Sequence, residues 1–205
     1  MADECNKSKK WIRQQLDQVH IKTFNNLIKP QPIIIVADTT FFDRTYGITV
    51  FREPNFKKNL YWQEIINENS DVYWKGRAEL EKQGFTIQAV VIDGKKCLKS
   101  VFLDLPIQMC HFHQTAIITR YLTRRPKLET GKELRKITLS LTKSDEKEFT
   151  ILLNNWFKKW KEFLKEKTVN PETGRWFYTH KKLRSAYRSL KTNLLYLFTY
   201  LVSKI

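Results

Sequence analysis

Pro32-Ile-Ile-Ile-Val-Ala-Asp38 and Phe85-Thr-Ile-Gln-Ala-Val-Val-Ile-Asp93 are two apolar runs that each meet an aspartate. Residues 33–37 are β-branched except for Ala37, the composition of a strand buried on both faces. Strand ends are where an α/β sheet presents polar groups to a ligand. A third run, Pro106-Ile-Gln-Met-Cys110, leads into His111-Phe112-His113. The sequence thus predicts three strands that stop at Asp38, Asp93 and Cys110.

Working outward, Tyr46-Gly-Ile-Thr-Val-Phe51 and Asn59-Leu-Tyr-Trp62 read as two further strands that form an antiparallel meander with the first. Asp71 is expected to cap a helix that runs through Gln83 and ends at Gly84. The resulting order is β-β-β-α-β-α-β. It fits a ribonuclease H-like sheet better than a doubly wound dinucleotide fold, and no GxGxxG follows a strand. In such a sheet the ends of the first and fourth strands are neighbours, so Asp38 and Asp93 are candidates to share a divalent ion.

From residue 111 the chain reads as helical. Ser144 is the expected cap of a helix whose first turn holds Asp145, Glu146 and Glu148, complementing the helix dipole. Phe149, Leu152, Leu153, Trp156, Phe157, Trp160, Phe163 and Leu164 make its apolar stripe. Asn170-Pro-Glu-Thr-Gly174 is a turn. A second helix carries Leu183, Ala186, Tyr187, Leu190, Leu194, Leu197 and Phe198. The two are expected to pack as an antiparallel pair, their aromatic stripes forming core.

At the other end, Ser8 can cap a helix with Ile12, Leu16 and Val19 on its apolar side and Lys9, Lys10, Arg13 and Gln14 opposite. With Ala2-Asp3-Glu4 before a turn at Cys5-Asn6-Lys7, this resembles the second half of a helix-turn-helix DNA reader. The expected organisation is therefore a partial helix-turn-helix at 1–29, the first part of a ribonuclease H-like core at 30–113, and a helical insertion at 114–205 that leaves the core incomplete.

Composition agrees with a nucleic-acid partner. The 205 residues carry 37 Lys+Arg against 21 Asp+Glu, a formal charge of +16. That excess favours a polyanion. A hydrophobic content of 41% with 13% aromatics argues for a globular rather than a disordered chain. Three cysteines without framework spacing suggest a reducing compartment. No signal sequence is visible, and the longest apolar stretch, 194–202, is far short of the ~20 residues that span a bilayer. A cytoplasmic, nucleoid-associated protein with no membrane contact is expected. Cys110 and His113 form one C-x-x-H, two ligands where structural zinc needs four.

Asp38 in Ile-Val-Ala-Asp-Thr-Thr, Asp93 in Val-Val-Ile-Asp-Gly, and Gln108-Met-Cys110-His111-Phe112-His113 together resemble DDE transposases of the Mutator-like group, which includes bacterial insertion-sequence transposases. The resemblance covers about residues 30–200. It implies a ribonuclease H-like core interrupted by a helical insertion after the C-x-x-H. It also implies Mg²⁺ or Mn²⁺ held by Asp38 and Asp93, with Cys110 and His113 supporting the site. The activity implied is DNA strand cleavage and transfer. The partners implied are the element ends and target DNA, and a homo-oligomer or full-length transposase. The family's third acid, a Glu beyond the insertion, has no counterpart: no Asp or Glu follows Glu172. The expectation is a chain truncated at both ends and inactive in cleavage. The alternative is a non-enzymatic DNA-binding or regulatory fragment.

Overall fold

Ten residues, Pro32–Phe41, form β1, the middle strand of a five-stranded mixed sheet. A computed structural model describes residues 28–42 and 45–202, together with Ser8, Lys10, Trp11 and Gln14. β2 (Gly47–Glu53) and β3 (Lys58–Ile65) continue from β1 as an antiparallel meander. β4 (Thr86–Ile92) lies parallel to β1 on its other side, and β5 (Ile107–Met109) lies parallel to β4. The order is β3-β2-β1-β4-β5, with the first and fourth strands adjacent as expected.

Helix α1 (Ser70–Lys82) crosses between β3 and β4 and packs on one face of the sheet. Its cap is Asn69, whose side-chain oxygen accepts from the Val72 N–H at 3.1 Å. Asp71 instead sits in the first turn, where its charge favours the dipole. Gly84 ends the segment with φ of +88°, a conformation that L side chains resist. Tyr73, Gly76 and Leu80, spaced by three and four residues, form the buried face. They join Ile33, Ile35, Phe51, Ile87, Val90, Ile92 and Phe102 in the first hydrophobic cluster. Each such side chain contributes roughly 1.5–3 kcal/mol on burial.

The expectation that β1 is buried on both faces is corrected. Ile33, Ile35 and Ala37 are buried, but Ile34 and Val36 are half-buried. Toward β5 that second face meets Thr199 and Tyr200, which with Ile34 and Val91 enclose a small gap.

After β4 come the short α2 (Lys96–Lys99), a 3₁₀ turn over Ser100–Phe102, and β5. The helical block follows: α3 (His111–Leu122), α4 (Glu129–Leu139) and α5 (Glu146–Trp160). Asp145, not Ser144, caps α5, accepting from the Glu148 N–H at 2.8 Å. Ser144 turns back and donates to the Ser140 carbonyl. A small hairpin of β6 (Lys167–Val169) and β7 (Trp176–Tyr178) flanks the 170–174 turn; the sequence reading had found the turn but not its strands.

The last long helix, α6 (Lys181–Leu197), packs antiparallel along α3 and meets α5 as well. His111 faces Leu197, and Gln114 faces Ser189 and Asn193. With α5 it shares Tyr187, stacked on Phe157 at 4.6 Å and beside Trp156. Met109, Ile118, Leu134, Phe149, Leu153, Trp156, Leu183, Leu190 and Phe198 form the second cluster, and Tyr196 packs against both clusters. Past α6 the chain returns to the sheet edge. Gln108 Nε2 donates to the Leu197 carbonyl at 2.9 Å, and Thr199 Oγ1, in the short α7 (Thr199–Val202), donates to the Ile107 carbonyl at 2.7 Å.

Most of the expected N-terminal helix, including Lys9 and Arg13, lies outside the described residues. Lys10 and Gln14 are helical and exposed, and the Trp11 N–H donates to Ser8 Oγ at 3.2 Å.

Candidate functional site

Parallel pairing of β1 and β4 matches Val36 with Val91. Two residues beyond that pair on each chain come Asp38, still in β1, and Asp93, just past the end of β4. Asp93 follows the last residue of β4, as expected. Asp38 does not end its strand, because β1 continues through Phe41 and pairs Thr39, Thr40 and Phe41 with Thr49, Ile48 and Gly47. Asp38 is therefore held by strand backbone on both sides. Its Oδ1 also accepts from the Thr39 N–H at 2.9 Å.

Asp93 is half-buried, and burial pushes its carboxyl above the ordinary aspartate range. The Lys95 N–H, donating to its Oδ1 at 2.9 Å, opposes that shift. His113 and Arg120 also oppose it, while the charge of Asp38 adds to it. The charge of Asp38 is therefore felt at Asp93, as expected where two carboxylates approach one site.

Cys110 and His113 come to the same place. The Cys110 N–H donates to the Ile92 carbonyl at 2.9 Å, which fixes the start of α3 beside Asp93. His113, one turn into α3, brings Nε2 to 3.8 Å from Asp38 Oδ1. Its Nδ1 is buried with no hydrogen-bond partner among the described residues.

A second carboxylate system lies beside the pair, and the sequence reading missed it. Glu68, in the loop before α1, has a side chain only 8% exposed and ion-pairs with Lys95. Tyr73 donates to Glu68 Oε1 at 2.6 Å, and Tyr73 in turn lies 3.1 Å from Thr39 Oγ1. Thr39 Oγ1 is 2.7 Å from Thr49 Oγ1. Since Tyr73 gives its proton to Glu68, the chain of donors runs Thr49 to Thr39 to Tyr73 to Glu68. Burial raises the Tyr73 hydroxyl far above its ordinary range, with Asp93 and Asp38 adding to the rise, so the phenol stays a donor. One signal was legible: Tyr73, Gly76 and Leu80 share the sheet-facing side of α1. Nothing local marks Glu68.

Helix α6 meets the Asp93–Gly94 turn with Asn193, an amide. A Cβ placed on Gly94 would sit 3.6 Å from Asn193 Nδ2 and 2.6 Å from Met109 Cε. Two carboxylates supply the hard oxygen that Mg²⁺ and Mn²⁺ prefer, with water completing the shell. Among the described residues no group of three or more His, Cys, Asp or Glu is arranged to hold a metal ion. Among them, too, no helix is long and apolar enough to cross a membrane.

No family model matches this chain, and no curated protein matches it. A solved structure with similarity is the cryo-EM structure of a simian T-cell lymphotropic virus intasome in complex with PP2A regulatory subunit B56 gamma. Identity is 11%, the TM-score is 0.29, and the match covers 80% of this chain and 49% of that one. The chain spans about half the length of the one it matches. So distant a likeness adds nothing to the site, which stands on its own geometry.

Proposed function

We propose that this chain carries the two-aspartate part of a DDE-type site on a ribonuclease H-like core, and that it engages DNA without cutting it. The observation that carries this reading is the β1–β4 register. It sets Asp38 beside Asp93, with His113 brought against Asp38 by α3. The strand order supports the same reading, and so does the +16 charge.

Asp38 and Asp93 are the residues that would hold Mg²⁺ or Mn²⁺. Bound there, the ion would supply Lewis-acid polarisation of a phosphoryl oxygen. His113 sets its Nε2 3.8 Å from Asp38 Oδ1, on the flank of the pair. Cys110, through its backbone, fixes the start of α3 against β4. Lys95 holds Asp93 through its N–H and answers Glu68 through its ammonium.

Two observations favour DNA engagement without cleavage. Glu68, the acid beside the pair, is engaged by Tyr73 and Lys95, and no group of three or more potential metal ligands is found among the described residues. The helix that returns to the sheet presents Asn193 to the Asp93–Gly94 turn and carries Arg184, Arg188 and Lys191. Two-metal displacement needs enough anionic oxygen to fix both ions, and two aspartates supply part of it.

The test combines Mn²⁺ binding by electron paramagnetic resonance with a plasmid-nicking assay on the 205-residue chain. Weak Mn²⁺ binding, lost in Asp38→Ala and in Asp93→Ala, with no nicking, is expected. Nicking abolished by either substitution overturns the inactive assignment and means that another group completes the site. Mn²⁺ binding indifferent to both substitutions overturns the metal assignment.

A further inference from the structure

Two depressions on the helical block adjoin, with Tyr121, Lys181 and Lys182 as common walls, and together outline a groove. The first, about 600 Å³, lies between the α3–α4 connection, β7 and the start of α6, and its walls include Tyr121, Arg125, Lys127, Phe177, Lys181 and Lys182. The second, about 570 Å³, lies between α3 and α6 and adds Arg120 to Tyr121, Lys181 and Lys182. No carboxylate lines either depression. Arg120, Arg125, Lys127, Lys181 and Lys182 form no ion pair with a described residue. Elsewhere on the same block Lys132 pairs with Glu129, Lys159 with Glu133 and Lys165 with Glu162, while Lys147 and Lys158 on α5 stand outside the groove. What sets the groove apart is that five cations share one concave surface with no carboxylate among its walls.

Aromatic faces stand among them. Phe177 is 46% exposed and Tyr121 is 37% exposed, both on the groove wall. Phe177 is held there by the β6–β7 hairpin, whose neighbouring Tyr178 lies under the Arg184 guanidinium at 3.6 Å. Cations beside exposed rings are what a nucleic-acid strand requires: charge for phosphates and flat faces for bases. A groove of this size suits a nucleotide or two rather than a duplex.

The groove also has a direction. His113, Ile117, Arg120 and Tyr121 share one face of α3, at spacings of four, seven and eight residues. His113 lies at Asp38, and Arg120 acts on the charge of Asp93. From His113 to Arg120 the helix rises about 10 Å, roughly three base steps at 3.4 Å along one strand.

We propose that this groove holds one strand of nucleic acid, with phosphates on Arg120, Lys181 and Lys182 and a base stacked on Phe177, and that it leads the strand toward Asp38 and Asp93. Only the strand's destination rests on the function proposed above. Binding in the groove needs no metal and no third acid.

The test is fluorescence anisotropy of a labelled oligothymidylate on the full 205-residue chain, in EDTA, across a salt series. The paired substitution Lys181→Gln with Lys182→Gln should weaken binding at least tenfold near 0.1 M salt. It should also flatten the log–log salt slope by about 1.4, the single-strand value for two phosphate contacts. Phe177→Leu keeps an apolar side chain on the hairpin but removes the ring. It should weaken binding about five- to 150-fold, the span of one base-stacking contact, and leave the slope unchanged. Lys147→Gln with Lys158→Gln, on α5 and outside the groove, is the charge control.

Equal losses in the groove pair and the control pair would show that the overall charge binds, and would overturn the proposal. An oligoglutamate competing as well as the oligonucleotide, or indifference to Phe177→Leu, would mean a general polyanion surface and overturn the base-stacking assignment. Because the assay is metal-free, a failed Mn²⁺ experiment leaves its outcome untouched, and the reverse is also true.

Discussion

Replacing Gly76 by alanine should destabilise this protein, although alanine is the better helix former by about 1 kcal/mol. Gly76 lies inside α1, directly over the ring of Phe51 on β2. A Cβ at this position would stand 2.2 Å from Phe51 Cε2 and 2.3 Å from Cζ, about 1.2 Å short of ordinary van der Waals contact. The ring has little room to turn. Phe51 is fully buried, and its centroid lies 5.7 Å from that of Tyr61 and 5.8 Å from that of Tyr73. The strain therefore falls on the helix, which must lift from the sheet. Overpacking of this kind costs roughly 1–3 kcal/mol.

The propensity gain offsets about 1 kcal/mol of that cost, so the net loss expected is up to about 2 kcal/mol, or up to roughly 8 °C in Tm for a chain of this size. Urea unfolding followed by circular dichroism measures it, with the m-value checking that the unfolded state is unchanged. The decisive comparison is Gly76→Ala in a Phe51→Leu background. With the ring gone, the same alanine should be neutral or stabilising, a coupling of at least 1 kcal/mol between two touching sites. Gly76→Ala that stabilises the parent protein, or costs the same in both backgrounds, would refute the proposal that the α1–β2 approach needs a glycine. Tyr73 lies one turn before Gly76 on the same helix face, so the lift would also stretch its bonds to Thr39 and Glu68.

Asp93→Asn should stabilise the metal-free protein at neutral pH, because burial raises the Asp93 carboxyl and charging it costs folding energy. That cost is complete above the raised folded-state value and absent below the ordinary value of 3.8. The gain should therefore vanish on acidification; a gain that persists at pH 3 in EDTA would contradict it. Arg77 donates to both Asp104 oxygens, to the Val101 carbonyl and to Glu81, so Arg77→Lys loses a fork that one ammonium cannot replace. A loss of about 1.5–3 kcal/mol is expected at neutral pH. It should shrink as pH falls through the depressed Asp104 value, since that stabilisation is present above the unfolded carboxyl value and lost below the folded one. Thr199→Val keeps the shape and removes the donor to Ile107 on the edge strand, at a cost of about 1 kcal/mol. Faster amide exchange confined to β5 and α7 is the accompanying sign, and unchanged exchange there counts against the clasp.

The sheet was legible because its signals are local and mutually consistent. The run 33–37 is β-branched or apolar, 86–92 is so apart from Gln88, and Gly84 marks the end of helix 70–82, whose cap is Asn69 where Asp71 was expected. Asp38 was read as a terminator because an aspartate is a poor strand residue taken alone. Thr39, Thr40 and Phe41 are good ones, and pairing with Ile48 and Gly47 carried β1 past it. The pairing of α6 with α3 was not legible. Periodicity shows which face of a helix is apolar, but not which neighbour covers it. Tyr187, the strongest aromatic on α6, does point to α5, while the fully buried residues Ala186 and Leu190 belong to a core that α3 also lines. Glu68 was hidden for a different reason. Its role comes from Tyr73, five residues further on in α1, and from Lys95, which the fold brings in from beyond β4.

The polar pair Gln114–Asn193 shows why the aspartates and the groove should behave as one unit. Gln114 is fully buried on α3, accepts from Asn193 Nδ2 at 2.9 Å and donates to Ser189 Oγ at 3.2 Å. An apolar side chain at either position would let α3 rotate or slide on α6 at little cost. Hydrogen-bonded amides allow one rotation and one register, because any other leaves buried donors without partners. His113 and Arg120 ride on that same helix, one against Asp38 and the other in the groove. Fixing the rotation of α3 therefore fixes both at once. An amide in this core contributes less by its net stability than by the single arrangement it permits. That arrangement keeps a strand lying along α3 aligned with the end of β4.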